Sequence, residues 1–208
     1  MLTRIEIDGF KTFEGFGLDL QPLTAIVGPN ASGKSNLFDA LRFLSLLAQH
    51  DIRTAMQGLR GEPEELFRQT QAGTSGCISF AVEVLLSRKS VDAFGTSYET
   101  PAQRLRYELK LALVQTSEGM PRGIFVREEH CRPIKRSEER ATYLLKRREE
   151  RATYLPSGKL SYTARVSPFI EMNESRDALQ VRQDGPHRHG NPMKISLKEA
   201  SRTALSVR

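Results

Sequence analysis

The clearest chemistry in this sequence lies in one short run, Gly28-Pro29-Asn30-Ala31-Ser32-Gly33-Lys34-Ser35. It fits the pattern G-x-x-x-x-G-K-[ST]. Glycines permit tight backbone turns that bring several N–H groups onto one phosphate oxygen. Lys34 supplies a mobile positive charge for the β- and γ-phosphates, and the Ser35 hydroxyl is a ligand for Mg2+. The chemistry expected is binding of the polyphosphate of ATP together with Mg2+.

Such a loop needs a strand to deliver it and a helix to leave it. Leu23–Val27 is a nearly continuous apolar run, which predicts a central strand covered on both faces. From Lys34 to about Ala48, Leu37, Leu41, Leu44 and Ala48 recur at helical spacing. The helix N-terminus would add free N–H groups and a favourable dipole for an anion.

The rest of the chain supports this unit. Residues 2–8 alternate as a half-buried strand does, and Leu18 and Leu20 suggest a second short one before Pro22. A short helix is expected over 51–57, a turn-rich loop at GLRGEP, and a helical turn over 64–69. Residues 79–86, 104–113 and 123–128 then alternate with turns between them, predicting an antiparallel meander with one wet face. Further strands are expected at 159–166 and 177–182, and the start of a helix over 196–205. The fold class expected is α/β, with an antiparallel β-meander and a central strand-loop-helix. One domain spans 1–208: a nucleotide-binding region (1–70), the meander (71–134), a charged insertion (135–158) and C-terminal strands with the start of a helix (159–208).

The insertion contains a repeat. Glu138–Leu144 and Glu149–Leu155 both read EERATYL, eleven residues apart. That offset equals three helical turns, which would place both copies on one helix face. A duplication within a tolerant surface loop accounts for it more simply.

Lys and Arg number 31 against 25 Asp and Glu, a net charge of +6. The excess suits a nucleic-acid partner, and equally a basic surface kept for solubility. Cys77 and Cys131 form no CxxC and no disulfide framework, as in a reducing cytosol. No apolar run approaches a membrane span, and the N-terminus has no apolar signal core, so a cytoplasmic protein without a membrane partner is expected.

The motif GPNASGKSN, with Asn30 inside the loop and Asn36 after it, resembles the Walker A segment of structural-maintenance-of-chromosomes (SMC), RecF and overcoming-lysogenization-defect ATPases. IEIDGFKTFEGF resembles their first strand and following turn, and GLRGEPEELF resembles their Leu-Arg-Gly segment. The whole chain is most similar to the N-terminal part of bacterial AAA-type ATPases related to RecF, a resemblance that is specific over 1–70 and looser beyond. It implies the N-terminal lobe of an ABC-type P-loop ATPase head. It also implies that Lys11 and Thr12 touch the nucleotide, the alternative for Lys11 being a solvated surface position. Arg60 matches an arginine linked to DNA sensing; the alternative is an exposed Arg pairing with Glu62 or Glu64.

The resemblance implies further parts that the residues do not supply. No four-residue apolar run ends in Asp-Glu, and no LSGGQ-like segment appears. Glu64-Glu65, Glu128-Glu129, Glu138-Glu139 and Glu149-Glu150 have polar or half-exposed surroundings. The chain therefore reads as an N-terminal lobe, with no readable catalytic base, that a further lobe or effector would complete. Gln183 as a metal-contacting residue is opposed by the turn-like Asp184-Gly185 after it. His130-Cys131 and His187-Arg188-His189 match no zinc spacing.

The function expected is ATP binding by an SMC/RecF-like head that pairs with a second head and acts on DNA in repair, chromosome handling or phage defence. The competing reading is a non-catalytic nucleotide-binding or assembly module. A small P-loop kinase is disfavoured because a long meander follows the loop helix. A transporter subunit is disfavoured because it would usually show an aromatic stacking residue before the motif and a signature segment within reach.

Overall fold

The computed structural model describes residues 1–71, 73–91, 95–100, 102–115, 121–141, 144, 160, 162, 167–182, 192–197 and 200–206. Its main body is an antiparallel sheet with a helix on one face. In chain order the elements are β1 (Leu2–Asp8), β2 (Phe16–Asp19), α1 (Lys34–Leu47), α2 (Ile52–Gln57) and a 3-10 turn (Pro63–Leu66). A small hairpin follows, β3 (Gln69–Thr70) and β4 (Gly73–Thr74), then β5 (Cys77–Leu85). A second small hairpin, β6 (Lys89–Val91) and β7 (Ser97–Glu99), precedes the long pair β8 (Arg104–Gln115) and β9 (Pro121–Pro133). β10 (Ile170–Met172), β11 (Ala178–Val181) and β12 (Met193–Ser196) complete the series.

Eight strands pair in the order β12-β11-β10-β9-β8-β5-β1-β2. Period-two alternation gives the sheet its two faces. Ile5, Val82, Tyr107, Cys131 and Ile170 stand in one cross-strand row, and Ile7, Phe80, Leu109 and Glu129 in the next. These rows lie under α1. Phe10, Phe43 and Phe80 meet there with ring centroids 5.5–6.1 Å apart. The opposite face carries Arg4, Glu6, Glu83, Arg106, Glu108 and Lys110. Arg106 pairs with Glu6 at 2.6 Å and with Glu108 at 2.8 Å, so charge is neutralised strand by strand.

The buried stripe of α1 is Leu37, Ala40, Phe43 and Leu47. It is turned from the expected one: Leu41 and Leu44 are half-buried and Ala48 is exposed. Phe43 fixes the rotation, since its ring completes the aromatic trio over the sheet.

Two expectations are corrected. Residues 23–27 form no strand, and Leu23 and Val27 are 84% and 89% exposed. The sheet ends at β2, and Pro22 follows that edge within a local turn in which Gln21 N–H and Thr24 Oγ1 bond at 2.9 Å. A central strand needs a paired neighbour on each side, and no described strand stands beside this segment. The second correction is at the C-terminal end, where residues 200–206 form a turn and not a helix. Thr203 Oγ1 donates to Leu47 O (3.1 Å) and Ala204 N–H donates to a carboxylate oxygen of Glu129 (2.7 Å). Side-chain partners of this kind compete with a helical ladder, and Ser and Thr are weak helix formers.

The strand expected over 159–166 is described only at Leu160 and Tyr162, neither of them in a strand. Gln183, His187, His189 and the second EERATYL copy lie outside the described residues. No described helix is long and apolar enough to cross a membrane.

Candidate phosphate-binding site

The loop 28–33 and the first turn of α1 form one structural unit. Ala31 (φ 63°) and Gly33 (φ 89°) both take left-handed backbone. Gly33 does so at the N-cap of α1, where a left-handed residue turns the chain into the helix. The amide of Leu37 then starts the helical ladder on Gly33 O at 3.0 Å. No side chain caps this helix and its first turn has no acidic residue. Its leading N–H groups are thus left for another acceptor, and the dipole favours an anion.

Lys34 reaches back over the loop. Its Nζ donates to Gly28 O (2.7 Å), Pro29 O (2.5 Å) and Ser32 Oγ (3.4 Å). The ammonium therefore sits at the mouth of the loop, on weak neutral acceptors. A Cβ added at Gly28 would stand 3.0 Å from Ser32 Oγ, which leaves little room for any larger residue.

The turn after β1 packs against this unit. Asn36 Nδ2 donates to Thr12 Oγ1 at 3.0 Å. The turn is held from behind, because Lys11 N–H donates to Leu66 O (2.8 Å) and Arg68 N–H to Gly9 O (2.8 Å). Lys11 itself has φ 49°. The turn thus brings Lys11 and Thr12 to the loop helix.

Asp39 joins the parts and was not among the expected site residues. It lies on α1 four residues after Ser35, and it is buried. Lys11 Nζ donates to Asp39 Oδ2 at 2.6 Å, and Arg60 donates to the same oxygen at 2.8 Å. Burial alone would push this carboxyl up; the bonds from Lys11 and Arg60 outweigh it and hold Asp39 below its ordinary range. A charged residue on the buried stripe of an apolar helix is the sequence signal for such a pairing. Arg60 is 68% exposed and pairs with Asp39; no described ion pair joins it to Glu62 or Glu64. Glu62 and Glu65 instead cap the 3-10 turn.

Asp39→Asn should lower stability by about 1.5–3 kcal/mol, the range for hydrogen bonds to charged groups. Arg60→Ala should lower it by under about 1 kcal/mol, because that arm is exposed. Urea unfolding separates the two. Equal losses would show that the Lys11 arm contributes nothing.

Glu129 is the one described carboxylate buried among apolar rows of the sheet under α1. Burial pushes its pKa up, against the bonds from Ala204 N–H and Tyr107 O–H. It lies beside the turn that holds Leu47 O, at the C-terminal end of α1. With 14 residues, α1 is about 21 Å long, so Glu129 is far from the loop at its other end. It therefore serves the fold and is not the missing base. Among the described residues no group of three or more His, Cys, Asp or Glu is placed to hold a metal.

Residues 23–171 match the family described as "AAA domain, putative AbiEii toxin, Type IV TA system". That span is well over half of the chain. The chain belongs to this family. The family is one of ATPases. Among curated proteins, the chromosome partition protein Smc of Methanocaldococcus jannaschii is 52% identical over 44 residues. That match covers 21% of this chain and 4% of Smc. The DNA replication and repair protein RecF of Acidothermus cellulolyticus is 33% identical over 89 residues, 42% of this chain and 24% of RecF. The chain thus spans a small part of the length of these relatives. A solved structure described as "Structural biochemistry of ATP-driven dimerization and DNA stimulated activation of SMC ATPases" aligns over 66% of this chain and 74% of its own. The TM-score is 0.38 at 18% identity.

Proposed function

We propose that residues 28–36 bind the triphosphate of ATP, with Ser35 as a ligand of Mg2+ and with Lys11 and Thr12 at the edge of the nucleotide. The observation that carries this is the uncapped N-terminus of α1 behind a loop closed by the Lys34 ammonium. The donor set fits the group: free helical N–H groups, a cation on neutral acceptors and an adjacent hydroxyl. Bound Mg2+ would neutralise phosphate charge. Titration of the full-length protein with Mg-ATP tests the reading, and equal affinity of wild type and Lys34→Ala would remove it.

In this reading the chain is the ATP-binding part of an SMC/RecF-like head. ATP joins it to a second head, and the complex acts on DNA in repair, chromosome handling or phage defence. Its match to the Smc and RecF relatives supports this. The exposed Leu23 and Val27 support a further lobe that covers the segment before the loop. A non-catalytic nucleotide-binding module is the second reading, motivated by the sequence, in which no four-residue apolar run ends in Asp-Glu. Turnover measured with every partner present would exclude it.

Arg60 gives a separate test. An exposed guanidinium next to the phosphate site can leave Asp39 for a stronger, bidentate phosphate partner. Duplex DNA should raise ATPase activity of the full-length protein, and Arg60→Ala should abolish that stimulation while leaving ATP affinity within about threefold, since its arm is exposed and weak. Stimulation unchanged in the variant would take Arg60 out of the DNA response.

A further inference from the structure

The EERATYL repeat belongs to a longer tandem. Residues 134–144 read IKRSEERATYL and residues 145–155 read LKRREERATYL, with no residue between them. They differ only at Ile134/Leu145 and Ser137/Arg148. The structure shows what the first unit does. It covers one end of the charged face of the sheet, where it is anchored at both ends. Ile134 is buried and its amide donates to Arg104 O at 3.0 Å. Glu139 takes two bonds from the buried Arg104 guanidinium, at 2.6 and 2.8 Å, and a third from Tyr162 O–H at 3.0 Å. Ala141 and Leu144 pack with Leu85 and Leu160 in a small apolar cluster. Glu138 pairs with Arg132 and Arg140 with Glu6.

We propose that this acceptor surface binds either unit, so that residues 145–155 can take the place of 134–144 within one chain. Every group that the acceptor grips in the first unit has a counterpart in the second: identical residues at Glu149, Glu150, Arg151, Ala152 and Leu155, and Leu145 for Ile134. The connections allow it. With the first unit docked, fifteen residues join Leu144 to Leu160. With the second docked, eleven residues loop out after Pro133, and four join Leu155 to Leu160. Four intervening residues span up to about 17 Å, ample for two leucines of one cluster. Loop-closure entropy rises slowly with length, but the exchanged state holds one loop more, so the first unit leads while both are intact. The exchange moves eleven residues from one side of the docked unit to the other and so changes the tether of everything after Leu160.

Thermal unfolding of Glu139→Ala, Glu150→Ala and the double variant tests this. Loss of the buried partner of Arg104 should lower Tm by on the order of 10 °C when no substitute exists. The double variant should show that loss. Each single variant should lose less than half as much, because the other unit fills the acceptor. Peptide-level hydrogen exchange on Glu139→Ala should find protection on 145–155 and not on 134–144. Glu139→Ala as damaged as the double variant overturns the proposal, as does a Glu139→Ala chain that does not fold while Glu150→Ala is silent. Rescue that appears only in a dimer also overturns exchange within one chain.

Discussion

Lys34→Ala is expected to weaken Mg-ATP binding about 100-fold or more without disturbing the fold. Among the described residues, its ammonium is the cation placed at the mouth of the loop, with its bonds going to Gly28 O, Pro29 O and Ser32 Oγ. Those acceptors are neutral and partly exposed, so losing them costs the free protein little. A phosphate oxygen brings full negative charge to the same spot. At an effective dielectric constant near 20, two unit charges 4 Å apart attract by about 4 kcal/mol, and each 1.4 kcal/mol is a factor of ten in affinity. The loss should therefore appear in titration calorimetry, while the circular dichroism spectrum and Tm stay at wild-type values. Ser35→Ala adds a control with a different signature. It should weaken binding in the presence of Mg2+ and leave metal-free binding unchanged, because its hydroxyl serves the metal alone. A Lys34→Ala protein that binds Mg-ATP as wild type does would show that the loop holds something else or nothing.

The parts of this site differ in how far local sequence reveals them. The loop and helix were legible because their signals are local: glycines at fixed spacing, then an apolar stripe at helical period. The strands expected over 79–86, 104–113 and 123–128 were legible for the same reason and fall within β5, β8 and β9, while a bulge at Arg127 breaks the alternation of β9 and hid its extension to Pro133. Leu23–Val27 was misread because an apolar run reports that both faces need cover and does not report what covers them. Asp39 was missed because its partners, Lys11 and Arg60, come from 28 and 21 residues away. Its position on the buried stripe was the available clue. The wet face expected of the meander is closed off on β8 at Arg104, whose side chain is fully buried. A segment 35 residues later covers that end of the strand, and strand alternation carries no information about it. The turn at 200–206 was beyond reach for a related reason. Its conformation depends on Glu129 and on the last carbonyl of α1, and neither is near in sequence.

Arg104→Ala is expected to be the most damaging single change outside the loop. Its side chain is fully buried, and three acceptors share it: Glu139 twice, Glu83 at 3.3 Å and Thr3 Oγ1 at 2.8 Å. Glu139 is fully buried as well and Glu83 nearly so. Removing the guanidinium strands buried negative charge, for which the expected cost is about 3–5 kcal/mol. Lys should not rescue it, because one ammonium cannot replace a planar fork aimed at several acceptors. The pH dependence should also change sign. In the wild type, burial raises the Glu139 pKa, but the Arg104 bonds prevail and hold it below its ordinary value. That contribution is present above the unfolded carboxylate pKa and is lost as pH falls through the lowered folded value. In Arg104→Ala burial, the largest influence, is opposed only by the weaker bonds from Ala141 N–H and Tyr162 O–H, so the folded pKa is expected to rise above the unfolded one and the folded state to bind protons more readily. The variant should therefore gain stability as pH falls from about 7 toward 5, while the wild type holds level and loses stability only at lower pH. Urea unfolding at three pH values distinguishes the two slopes. Parallel slopes would mean that Glu139 is solvated once Arg104 is gone, and that the first repeat unit had already left its place on the sheet.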